Sequence, residues 1–131
     1  MIVDSSALLA VVLKEPDIAR YLEAMLAADR LRMSAANWFE AAMVVESRGD
    51  ATVRARFDEF VRVSGIELVP VSVAQAEAAR EAWRSFGRGQ HAAKLNFGDC
   101  FAYALARTEA APLLFKGNDF PQTDIEPALR D

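Results

Sequence analysis

Met1-Ile-Val-Asp-Ser-Ser-Ala-Leu-Leu-Ala-Val-Val-Leu13 places two β-branched apolar residues, an acid and two hydroxyls ahead of a run of helix-forming residues. Ile2-Val3 reads as a short buried strand, and Asp4-Ser5-Ser6 as the cap of a helix over Ala7 to Leu13. A strand with no polar alternation has no solvated face. That suits a parallel sheet covered by helices on both sides.

The rest of the chain repeats the theme. Pro16 suits the first turn of a helix from Asp17 to Ala28, with Ile18, Tyr21, Leu22, Met25 and Leu26 at helical spacing. Leu31-Arg-Met-Ser34 predicts a second strand, and Ala36 to Arg48 a helix that carries Glu40 and ends at Gly49. Asp50 caps a fourth helix, and Ile66-Glu-Leu-Val69 is a third strand. Ser72-Val-Ala-Gln75 has the form of a capping box opening a helix through Trp83 to Phe86. After the Gly87-Arg-Gly-Gln90 loop, Gly98-Asp99 begins the last helix. Leu113-Leu-Phe115 is a fourth strand, and Ile125 is placed in a short fifth. Short apolar strands alternating with longer helices predict a single α/β domain over residues 1–131, a three-layer α/β/α sandwich around a mostly parallel sheet.

Composition narrows the function. Hydrophobic residues at 53% and charged residues at 26% describe an ordinary globular chain. No apolar run approaches the roughly 20 residues of a membrane-spanning helix. Asp4 follows the first three residues directly, so a signal peptide is not expected. One cysteine, Cys100, forms no internal disulfide and suits a reducing cytoplasm. One His and one Cys all but exclude a zinc site. The sole histidine, His91, and Cys100 read as a loop residue and a small core residue. The net charge of −4 opposes broad nucleic-acid binding unless a local basic patch or a metal-loaded acid cluster compensates. Arg48, Arg84, Arg88, Lys94 and Lys116 stand at element ends or in loops.

In parallel sheets the functional crevice lies beyond the carboxyl ends of the strands. Asp4 ends the first strand, Asp119 follows the fourth, Glu40 lies just after the second, and Asp99 opens the helix before the fourth. Each acid has a plain structural alternative. Asp4 could cap a helix, although Ser5 or Ser6 could do so equally well. Asp99 could complement a helix dipole, and Asp119 could be a turn residue. Glu40 could be a solvent-facing residue of a mostly buried helix, but it lies in the apolar Trp38-Phe-Glu-Ala-Ala-Met43, where an unpaired carboxylate is costly. Together they suit one site. Hard cations such as Mg²⁺ or Mn²⁺ prefer carboxylate oxygens and support phosphodiester hydrolysis. A phosphate-accepting receiver domain is disfavoured because Val69-Pro-Val-Ser72 offers no acid, and a haloacid-dehalogenase-like phosphatase because Ser6 stands where a second Asp is needed. No glycine run supports nucleotide binding.

These motifs resemble, in order and across essentially the whole chain, those of PIN-domain ribonucleases, closest to the VapC toxins of toxin–antitoxin pairs. The matching segments are Met1-Ile-Val-Asp-Ser-Ser-Ala-Leu8, Ser34 to Ala41, Phe97-Gly-Asp-Cys-Phe-Ala-Tyr-Ala-Leu-Ala106, and Leu113-Leu-Phe-Lys-Gly-Asn-Asp-Phe120. The resemblance implies a Mg²⁺ or Mn²⁺ site and RNA cleavage leaving 5′-phosphate and 3′-hydroxyl ends. It also implies a homodimer and a VapB-type antitoxin that covers the site. Asp4 and Asp99 would be the principal metal ligands, Glu40 would complete the site or orient water, and Asp119 would support the metal. Relatives often carry acids where Gly117 or Asn118 stands here. Ser6 and Asn96 are candidate helpers, and the Gly87 to Lys94 loop could touch RNA or a partner, with Trp83 and Phe86 expected in the core. The rival is a PIN-like binding module, with weak or lost cleavage, acting through its antitoxin complex.

Overall fold

Four two- or three-residue strands carry the architecture of the computed structural model, which describes residues 1–130. β1 (Ile2–Val3) leads through α1 (Ser5–Val12) and α2 (Ile18–Ala27) to β2 (Arg32–Ser34). α3 (Ala35–Ser47) and α4 (Ala51–Ser64) precede β3 (Glu67–Val69), and α5 (Val73–Phe86) and α6 (Phe97–Glu109) precede β4 (Leu113–Leu114). All pairings are parallel, in the order β3-β2-β1-β4.

Alternation along so short a strand sends neighbouring side chains to opposite faces. Val3 and Leu114 pack with Leu8, Tyr21, Met25 and Phe57 in one apolar layer. Ile2 and Leu113 pack with Ala79, Ala82 and the buried stripe of α6 in the other. The three-layer α/β/α sandwich expected from the sequence is therefore the fold.

Several local expectations change. Pro16 lies in a turn before α2, whose N-cap is Asp17. Ser72 caps α5 through Gln75 N, but the Gln75 side chain donates to Thr108 Oγ1, so that capping box is only half made. The fifth strand is absent among the described residues: Pro127 makes a single parallel bridge to Leu113. Trp83 is not a core residue; it is 41% exposed. Phe86 is half-buried, with Tyr103 and His91 against its ring.

Two substitutions test the layers. Leu114→Ala at a fully buried position should cost about 2–5 kcal/mol, whereas Leu26→Ala at an 84% exposed position should stay within about 0.5 kcal/mol. Urea-denaturation midpoints distinguish the two.

Candidate metal-binding acid site

Every strand runs in the same direction, so the segments leaving β1, β2 and β4 emerge at one edge of the sheet. Asp4, Glu40, Asp99 and Asp119 all line one pocket of about 330 Å³ there, with Ser6 and Asn96.

Asp4 is the N-cap of α1 and is 3% exposed. Its Oδ2 accepts from Ser6 N at 3.0 Å and from Ser6 Oγ at 2.5 Å. The capping role is therefore filled by Asp4 itself, while Ser5 and Ser6 lie inside the helix. Capping occupies only one oxygen. Asp4 Oδ1 is buried and has no hydrogen-bond partner. Burial pushes the carboxyl up to about 6, the bonds from Ser6 oppose the shift, and the Glu40 charge adds to it. Ser6 Oγ also accepts from Lys116 N at 2.9 Å, which ties the chain leaving β4 to the start of α1.

Glu40 is half-buried on α3, and its Oε1 accepts from Ser5 Oγ at 2.5 Å. Asn37, one turn earlier and fully buried, reaches the same Oε1 at 3.5 Å and donates to the Gly98 carbonyl at 2.8 Å. Gly98 leaves room for Glu40: a Cβ at this position would lie 2.0 Å from Glu40 Oε2 and would push the carboxylate aside. Ser5, Asn37 and Gly98 were not singled out in the sequence. A glycine beside Asp99 at the start of an amphipathic helix was the available signal for Gly98. For Asn37 it was a polar residue one turn from Glu40 on the same helix.

Asp99 sits in the first turn of α6 in a reciprocal capping box. Asn96 Oδ1 accepts from Asp99 N at 2.9 Å, and Asp99 Oδ2 accepts from Asn96 N at 3.0 Å. Burial pushes this carboxyl up to about 7, against the Asn96 bond, with Asp4, Asp119 and Glu40 adding repulsion. Asp119 is exposed, precedes the 3₁₀ turn Phe120–Gln122 and makes no capping bond. The Lys116 amine does not neutralise the four acids; it pairs with Glu15 at 2.7 Å and Asp17 at 3.0 Å.

Each carboxylate that finds a donor is turned toward it. Among the described residues no three His, Cys, Asp or Glu side chains stand in range of one ion. The donors fit a hard divalent cation: they are all oxygens, two are carboxyls that resist ionisation while unneutralised, and one buried oxygen lacks a partner. His91 and Cys100 do not contribute. His91 Nδ1 accepts from Ala93 N at 3.0 Å within its loop, and Cys100 is a buried thiol pushed up to about 11.

Known proteins resemble this chain in sequence and in fold. The PIN domain family model matches residues 1–126. Ribonuclease VapC30 of Mycobacterium tuberculosis is 46% identical over 126 residues, covering 95% of each chain. Ribonuclease VapC28 of the same species is 45% identical over 130 residues, covering 98% of each. Two solved structures share the fold at low identity. Mycobacterium tuberculosis VapC20, described as a sarcin-ricin loop cleaving toxin, has a TM-score of 0.77 at 15% identity and covers 99% of this chain and 98% of its own. VapBC2 of Rickettsia felis, bound to a DNA fragment from its promoter, has a TM-score of 0.75 at 16% identity over 96% and 94%.

The raised carboxyls carry a pH signature. Their folded values of about 6 and about 7 exceed the ordinary 3.8, so the unfolded chain ionises first. This contribution to stability is complete below about pH 4 and is lost as pH rises to about 7. Asp17, Glu67 and Asp124 shift downward, and their opposite contribution is complete by about pH 5. In EDTA, unfolding free energy should fall by about 1–2 kcal/mol from pH 5 to pH 7.5, after discounting for the partly solvated Asp99. Asp99→Asn should flatten that slope, as read by urea denaturation at both pH values.

Proposed function

Because the chain belongs to the PIN-domain family, among its VapC ribonucleases, we propose that it is a Mg²⁺-dependent endoribonuclease and the toxin of a toxin–antitoxin pair. The observation that carries the metal dependence is the buried, partnerless Asp4 Oδ1 among converging acids. Asp4 and Asp99 would hold the ion, with Asp119 supporting it from the exposed side. Bound there, Mg²⁺ or Mn²⁺ would polarise a phosphate oxygen, lower the pKa of an attacking water and neutralise charge in the transition state.

The chain's own residues supply position. Ser6 and Asn96 fix one oxygen each of Asp4 and Asp99, leaving the other oxygens for the ion. Ser5 holds Glu40 Oε1, so Oε2 is the atom that orients the attacking water. Water adds to phosphorus and the P–O3′ bond breaks, leaving a 5′-phosphate and a 3′-hydroxyl. The helix N-termini of α1 and α6 point positive ends at this edge and favour the phosphate.

A VapB-type antitoxin that covers the acids is the natural regulator, since one related structure is a toxin–antitoxin complex of Klebsiella pneumoniae with a TM-score of 0.70 at 16% identity. A homodimer is part of the same reading. So is a cytoplasmic location, which agrees with a lone free cysteine; among the described residues no helix is long and apolar enough to cross a membrane.

Purified chain incubated with total cellular RNA and Mg²⁺ should cleave it, and EDTA should stop cleavage. Asp4→Asn and Asp99→Asn should lower the rate at least about a hundredfold. Intact RNA with wild type and variants alike, and no growth arrest on expression, would overturn the nuclease and leave a binding module. Gly98→Ala should displace Glu40 and lower cleavage while leaving both principal ligands in place.

A further inference from the structure

The five cations expected to offset the acidic net charge do not fare alike. Arg84 is paired with Glu81, and Lys116 with Glu15 and Asp17. Among the described residues, Arg48, Arg88 and Lys94 make no ion pair, and neither does Arg80, a cation outside that set. Arg48 ends α3, whereas Arg80, Arg88 and Lys94 lie on α5 or in the loop that joins it to α6.

Between these helices lies an apolar groove of about 300 Å³ lined by Arg80, Trp83, Phe97 and Phe101. A second hollow, of about 360 Å³, is formed by Trp83, Arg88, Asn96 and Phe97. Asn96 also lines the acid pocket, so the two hollows share that residue. Phe97 is 78% exposed, with Phe101 edge-on at 5.0 Å between ring centroids.

Trp83 is held rather than loose. A Cβ at Gly87 would lie 2.6 Å from Trp83 Cδ2, so the ring rests against the bare glycine backbone. The loop itself is closed by Leu95 N donating to the Phe86 carbonyl and Arg88 N donating to the Leu95 carbonyl, each at 2.9 Å. Two exposed aromatics beside unpaired guanidiniums, next to a phosphodiester-cleaving site, offer stacking for bases and charge for phosphates. An apolar protein surface would instead have to bury the same guanidiniums without partners.

We propose that Trp83 and Phe97, with Arg80 and Arg88, form a docking strip for the single-stranded segment of RNA that flanks the scissile phosphate. This inference rests on the ribonuclease reading of the acid site. Trp83 and Phe97 stack nucleobases; Arg88 and Arg80 take neighbouring phosphates. Lys94 adds to the local field. The strip supplies the local basic patch that a chain of net charge −4 needs in order to hold RNA.

The test uses the Asp99→Asn chain, which keeps RNA intact, and a fluorescein-labelled single-stranded RNA 12-mer followed by anisotropy. Trp83→Ala and Phe97→Ala should each weaken binding about five- to tenfold, and Trp83→Phe should restore most of it. Arg88→Gln should reduce the salt slope of binding by about 0.7. Sedimentation equilibrium and thermal melts of the same variants show whether mass or folding has changed. Unchanged RNA affinity in correctly folded variants overturns the strip. So does the finding that Trp83→Ala and Phe97→Ala dissociate a self-associated species without altering RNA affinity, which would make this face an interface between copies. Wild type that cleaves RNA normally while the variants bind normally refutes the strip alone. Wild type that binds RNA through Trp83 and Phe97 but cleaves nothing refutes the nuclease alone.

Discussion

Holding four carboxylates at one edge of a sheet costs free energy, because each is desolvated or repelled by the others. Asp4 and Asp99 register that cost as carboxyls pushed up to about 6 and about 7. The surrounding structure is organised to bear it. α1 starts at Asp4, so its first amides offset part of the burial. α6 starts beside Asp99, and Asn96 closes a capping box around it. Ser5 and Asn37 hold Glu40 against Gly98, whose lack of a side chain leaves the carboxylate room. A divalent cation held at this edge, as proposed, would relieve the same repulsion.

Helix capping and metal binding are usually competing explanations for an acid at a strand-to-helix junction. Here the geometry leaves room for both. A carboxylate has two oxygens, and Asp4 and Asp99 each use Oδ2 for a local backbone bond. For Asp4 the second oxygen is left buried without a partner. The cap fixes the acid's orientation and leaves that oxygen unused. Lys116 shows the same economy: its backbone N–H fastens β4 to Ser6, while its amine is drawn away to Glu15 and Asp17.

Much of this was legible in the sequence. Ile2-Val3 and Leu113-Leu114 have no polar alternation, and that alone specified a buried parallel sheet. From the direction of such a sheet, Asp4, Glu40, Asp99 and Asp119 could be placed at one edge without any spacing motif between them. What stayed hidden was set by tertiary contact. Nothing local says that Gly98 faces Glu40 across two helices, or that Gln75 prefers Thr108 to its own cap. Trp83 looked like core because its size and helical position are those of a core residue; the Gly87 backbone beneath it lets the ring lie at the surface. Ile125 is buried, as a strand residue would be, yet the chain beyond it bridges to β4 only at Pro127.

Divalent-cation stabilisation tests the central claim most directly, because a ligand that binds only the folded state raises its melting temperature. Melting wild type and the single variants Asp4→Asn, Glu40→Gln, Asp99→Asn and Asp119→Asn, with EDTA and then with saturating Mg²⁺ or Mn²⁺, reads the site without reference to activity. One shared site predicts a clear rise in wild type, loss of the rise in the Asp4 and Asp99 variants, and partial loss in the other two. An equal rise in all five proteins, or none in wild type, would contradict a single metal site built from these acids.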